Sequence, residues 1–95
     1  MINLTLSKQY GKYIVTLTKH SLKRILERNI PGNRIIHTIL TAAEQNKVDN
    51  SEILIENKEE GFSLIAKIKN HEITIITALN KVNCYRKENT ALVAV

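Results

Sequence analysis

Aromatic residues are scarce in this 95-residue chain, which has three Tyr, one Phe and no Trp. Any core must therefore be aliphatic, and the many-ringed stacking platforms that grip single-stranded nucleic acid are not expected. A single cysteine, Cys84, excludes an internal disulfide framework and a Cys-rich zinc site. No stretch approaches the ~18 consecutive apolar residues of a membrane span. The opening residues, Met1-Ile2-Asn3-Leu4-Thr5, alternate and show neither a basic head nor a continuous apolar run. No secretory signal is expected from them, and a reducing, cytoplasmic setting is the default. Internal repeats, low-complexity segments and linkers are also lacking.

What is present suffices for one packed domain spanning 1–95. Hydrophobic residues make up 43% of the chain, against 24% charged, which argues against wholesale disorder. Fourteen Lys and Arg face nine Asp and Glu, for a net charge of +5. That balance favours a polyanionic partner, although net charge speaks to association and not to fold.

Periodicity supplies the outline. Ile2, Leu4 and Leu6 alternate with polar residues, as do Tyr13, Val15 and Leu17 after a turn within Ser7–Lys12, so residues 1–17 read as a β-hairpin. It precedes a core of residues 18–95 as an N-terminal extension. Thr18 is a good N-cap for a helix carrying Leu22, Ile25, Leu26 and Ile30, which Pro31-Gly32 closes. A second helix from Asn33 carries Ile35, Ile36, Ile39, Leu40 and Ala43 as an apolar stripe, and the short connection predicts a helical hairpin. The second half changes period. Ile53–Ile55, Leu64–Ile68 and Ile73–Leu79 read as strands, the last as a central one buried on both sides. Turns fall at Lys58–Gly61 and Asn70-His71. Val82–Arg86 and Ala91–Val95 offer further strands. The expected class is α+β, with the helical pair on an antiparallel sheet of about four strands.

One feature rises above this outline. His20, Arg24 and Arg28 are spaced four apart on the first helix, so at ~100° per residue they form one stripe. On the wheel it faces away from Leu22, Ile25, Leu26 and Ile30, with Lys23 and Glu27 beside it. A solvated face with local ion pairs has the same spacing. The residue types argue for more: Arg presents a planar fork of donors matched to phosphate oxygens, and His exchanges a proton near neutral pH. Together they could hold and cleave a phosphodiester without a metal.

The segment His20-Ser21-Leu22-Lys23-Arg24-Ile25-Leu26-Glu27-Arg28-Asn29-Ile30 resembles a family of small bacterial and phage domains. In them a His opens the first helix, Arg follows at four and eight, and Ile comes two later. A second helix then precedes a four-stranded sheet whose late strand often carries Thr, as Ile73–Leu79 does with Thr74 and Thr77. The layout is similar to the superfamily of small ribonuclease toxins that groups barnase, EndoU, colicin-type nucleases and RelE. The resemblance covers about Ile14 to Leu79. Asn29 stands where the pattern has a small residue, and Ala78 and Leu79 stand where an aromatic often follows the Thr, leaving Tyr85 as the nearest ring.

The resemblance implies a metal-independent endoribonuclease of toxin or phage-effector type, with no cofactor. His20 would serve as general base or acid, Arg24 and Arg28 would hold the scissile phosphate, Thr77 would orient it, and Tyr85 would add a hydroxyl or stack a base. Lys23, Lys67 and Lys69 would extend the RNA-binding track. RNA is the implied partner, with a cognate neutralising protein and no membrane. The apolar tail Ala91–Val95 suits a sheet strand or the pairing edge of a homodimer. Two other readings stay open: a non-catalytic RNA-binding or decoy module, and a protein-interaction module that inhibits a host factor. Among the remaining residues, His37 reads as a boundary histidine, His71 as an exposed turn residue, Glu56, Glu59 and Glu60 as a solubilising acidic turn, and Cys84 as a buried structural residue. The three histidines lack metal-ligand spacing.

Overall fold

A computed structural model describes residues 6–45, 51–82 and 90–95. The chain is α+β: a hairpin of β1 (Leu6–Tyr10) and β2 (Tyr13–Leu17), helices α1 (Lys19–Glu27) and α2 (Gly32–Gln45), then β3 (Ser51–Asn57), β4 (Phe62–Lys69), β5 (Glu72–Leu79) and β6 (Ala91–Ala94). Among the described residues six strands form one sheet, in the order β1-β2-β5-β4-β3-β6. The sheet is mixed and not purely antiparallel, because β2 runs parallel to β5 and β6 runs parallel to β3. Both parallel pairs join strands far apart in the chain, and nothing in local periodicity encodes such pairings.

The hairpin turn is tighter than expected. Tyr10 pairs with Tyr13 across Gly11-Lys12, with Gly11 at φ +61°, the left-handed region glycine enters without steric cost. Residues 13–17, expected within an appended hairpin, are built into the sheet: Ile14 to Leu17 pair with Glu72 to Ile75, and Tyr13 and Val15 are buried in the core. The same aliphatic cluster takes Ile25 and Ile30, Ile35 and Ile39 of α2, Ile53 and Ile55, Phe62, Leu64, Ala66 and Ile68, and Ile73, Ile75 and Ala78. Three turns of the expected layout are in place, at 58–61, at 70–71 and between the helices.

The helices do not close into a mutually packed hairpin. α1 lies mainly on β5 and α2 on β3 and β6, and they diverge from a corner at 28–31. That corner has a definite chemistry. The Ile30 amide donates to the Ile25 carbonyl (3.2 Å) and the Asn29 amide to the Leu26 carbonyl (3.4 Å), with Asn29 at φ +52°. This paired capping pattern has a left-handed residue at its centre and apolar contact between Ile25 and Ile30. α1 therefore ends before Pro31, and the Pro31 carbonyl accepts from the Arg34 and Ile35 amides to start α2 (3.1 and 3.2 Å). The left-handed site also explains Asn29, since Asn is the residue after Gly that best tolerates it.

β5 carries one irregularity. Ile65 pairs with Thr77 but Ala66 pairs with Ile75, so Ile76 is an extra residue in the ladder. Ile73 and Ile75 point into the core, as Thr77 would in a regular strand. The bulge reverses that order, and Ala78 is fully buried in its place. No described helix is long and apolar enough to cross a membrane.

Candidate nucleic-acid interface

Thr18 and Arg28 fasten α1 to the edge of β5. Thr18 is the N-cap, its Oγ1 accepting from the Ser21 amide (3.1 Å). The same hydroxyl is within 3.3 Å of the Ile75 and Ile76 carbonyls, and the Thr18 amide donates to the Ile75 carbonyl (3.4 Å). At the other end Arg28 Nη1 donates to the Ala78 carbonyl. Strand pairing between β2 and β5 stops at Leu17 and Ile75. Beyond that point the helix replaces the missing strand, and Arg28 satisfies a β5 carbonyl that no β2 amide reaches.

This attachment sets the rotation of α1, and it differs from the one expected. Ser21 is wholly buried, its Oγ donating to the Thr18 carbonyl (2.9 Å). Ile25 is buried, whereas Leu26 is 68% exposed. With Ser21 at 0°, Ile25 and Arg28 fall at about +40° and −20°, Leu22 and Leu26 at about +100° and +140°, and Arg24 and His20 at about −60° and −100°. The apolar residues thus do not form one inward face. The sheet side is Ser21, Ile25 and Arg28, one flank is Leu22 and Leu26, and the other is His20, Arg24 and Glu27. The cationic stripe spirals accordingly: His20 is exposed, Arg24 half-buried, and Arg28 turned onto the strand.

The stripe is also less free of acid than its spacing predicts. Arg24 Nη1 bonds Glu27 Oε2 at 2.9 Å and Lys23 Nζ lies 3.9 Å from Glu27 Oε1. Such exposed helical pairs are worth a few tenths of a kcal/mol, so a phosphate could exchange for Glu27 at little cost. Each guanidinium keeps further donors, since an Arg has five N–H groups and these bonds use one apiece. The His20 and Thr77 side chains have no hydrogen-bond partner among the described residues.

Thr77 lies on β5 directly before the carbonyl that Arg28 holds, and between the two points where α1 is fastened. The bulge has turned its side chain out of the core. Of the four candidate residues only Arg28 bonds to β5 directly; His20 and Arg24 stand on the helix that Thr18 and Arg28 fasten there, and Thr77 on the strand itself. Lys67 and Lys69 are exposed on β4, but they pair across the strands with Glu52 and Thr74 and with Glu72, so acids accompany both. Tyr85 and Cys84 lie outside the described residues.

The other polar residues have identifiable positions. His71 is exposed and meets Tyr13 edge-on at 5.7 Å. His37 is exposed on α2. The acidic turn is more than a solubilising one, because Glu56 is buried beside Lys58 (3.6 Å) and Glu60 pairs with Arg34 (3.0 Å). Sequence reasoning missed the tether role of Thr18, the burial of Ser21 and the bulge. The Ile75-Ile76 doublet, which breaks the alternation of β5, was the available signal for the last. In comparisons with known proteins the chain matches no family model, no curated protein and no solved structure.

Proposed function

We propose that this protein is a metal-independent endoribonuclease acting at the junction of α1 and β5. The observation that carries the reading is the bulge at Ile76 together with the Arg28 clasp on Ala78. The first turns Thr77 outward, and the second holds the His20–Arg24 flank of α1 along the same strand. The order of two helices followed by β3, β4 and a Thr-bearing β5 is of the kind the ribonuclease-toxin resemblance implies.

RNA brings its own nucleophile, so such a protein needs only to position, neutralise and transfer protons. The 2′-oxygen attacks phosphorus and the bond from phosphorus to the 5′-oxygen breaks, leaving a 2′,3′-cyclic phosphate and a 5′-hydroxyl. His20 takes the 2′-proton or supplies the proton of the leaving oxygen. Arg24 releases Glu27 to grip the phosphate, Arg28 offers its remaining donors, and the Thr77 hydroxyl orients a phosphate oxygen. Lys23 adds positive potential along the strand of RNA. The setting would be a bacterial cytoplasm, during phage infection or under control of a cognate neutralising protein.

A second reading, RNA binding without cleavage, is favoured by one observation: no described carboxylate or carbonyl orients the His20 ring. Incubation of total bacterial RNA with chelator, comparing wild type with His20→Ala and Arg24→Ala, separates the two. Cleavage lost in both variants supports the nuclease. Salt-sensitive binding with no cleavage supports the module, and neither activity refutes both.

A further inference from the structure

The second flank of α1 borders a groove that the RNA reading does not use. Leu22 and Leu26 form one wall, Ile36 of α2 the other, and Leu17, Ile25 and Ile35 the floor, enclosing about 870 Å³. It exists because the capping pattern at Asn29 makes the helices diverge. Leu26, at 68% exposure, stands on its lip. A small ligand in the groove would leave most of that side chain in water, whereas a polypeptide lying along the groove would cover it.

The lining itself carries no Lys, Arg, Asp or Glu, and two lysines stand on the elements that border it. Lys8 lines the adjoining hollow beside Tyr10, Leu17 and Ile36. Lys19 projects at about +160° on α1, on the same flank as Leu26 and two turns before it. Neither has an acidic partner among the described residues. The acids nearest in sequence are engaged elsewhere, Glu27 with Arg24 on the opposite flank and Glu44 with Lys12 (3.8 Å). A second copy of this chain would bring further lysines to the interface and no free acid from Glu27 or Glu44, so it complements the groove less well than an acidic partner.

We propose that the groove receives an amphipathic helix of another protein, with Leu-type anchors at i, i+3 or i+4 and i+7 and Asp or Glu along its margins. Its apolar ridge covers Leu26 and fills the space between the helices, while its acids meet Lys8 and Lys19. Since the groove lies on the flank opposite His20 and Arg24, this docking stands independently of the ribonuclease reading.

The test uses the full chain and two synthetic 15-residue helical peptides, identical in their Leu positions, one with Glu and one with Lys elsewhere. Fluorescence anisotropy measures affinity, and amide NMR shifts locate the site. The acidic peptide is expected to bind and to shift Leu22, Leu26 and Ile36, with the basic peptide weaker by roughly tenfold or more. Leu26→Ser and the double variant Lys8→Glu/Lys19→Glu should each weaken the acidic peptide by about tenfold, with unchanged circular dichroism. Equal binding of both peptides, no binding of either, shifts elsewhere, or a dimer that buries Leu26 would each overturn the proposal. RNA cleavage by Leu26→Ser is read in parallel, so failure of the nuclease reading is seen separately.

Discussion

Arg28→Ala is expected to destabilise the fold substantially, although Arg28 belongs to a stripe that looks like a ligand-binding surface. Its Nη1 donates to the carbonyl of Ala78, a residue with no solvent exposure, at the stretch of β5 edge where β2 has ended. A hydrogen bond from a charged donor contributes about 1.5–3 kcal/mol, and its loss strands a largely buried acceptor. Arg28 as a whole is only half-buried, so water recovers part of this and about 2 kcal/mol is the expected cost. For a domain of this size that corresponds to a fall in Tm of roughly 8–16 °C. Urea and thermal unfolding followed by circular dichroism measure it. His20→Ala, at an exposed position, should stay within about 0.5 kcal/mol of wild type. Arg28→Lys should fall between, since an ammonium can donate but lacks the planar fork. An Arg28→Ala protein that melts like wild type would refute the reasoning, because the guanidinium would then not be holding α1 to the strand.

Other positions give independent checks. Thr18→Val should cost about 1–2 kcal/mol in urea unfolding, from the lost cap and the lost contacts to β5. Asn29→Ala should destabilise by about 1–2 kcal/mol, as measured by Tm, because alanine cannot enter the left-handed region freely, and Asn29→Gly should not. Asn57→Ala removes a buried amide that donates to Thr38 Oγ1 (2.9 Å) and accepts from the Glu60 amide (3.0 Å), and should cost about 1–3 kcal/mol by the same measurement. If Lys23, Arg24 and Arg28 contact phosphates, log affinity for single-stranded RNA should fall against log salt with a slope near −2, measured by anisotropy.

The sequence made the elements legible where period was strong. Tyr13 and Val15 alternate into the core, Ile35, Ile39 and Ala43 mark the buried side of α2, and the β-branched run of β5 lies between β2 and β4. It misled where a local hydrogen bond outweighed hydrophobicity. Ser21 is a polar residue that the Thr18 carbonyl allows to be buried, and its burial rotates α1 so that Leu26 faces solvent. The parallel pairings of β2 with β5 and β6 with β3 depend on contacts distant in sequence, and a period of two cannot reveal them. The four-residue spacing of His20, Arg24 and Arg28 predicts a single stripe, whereas Arg28 caps the helix and turns onto β5 and His20 and Arg24 stand on a flank. Their separate environments required the strand against which the stripe winds.

The central claim is that the α1–β5 junction directs a 2′-oxygen at phosphorus. A DNA strand carrying one internal ribonucleotide tests it most directly, incubated with the protein in chelator and followed by end-group analysis. The account predicts a single cut after the ribonucleotide, with a 2′,3′-cyclic phosphate on one product and a 5′-hydroxyl on the other, and no cut with His20→Ala. Cleavage at deoxynucleotides, or an intact strand under conditions where single-stranded RNA binds, would contradict it.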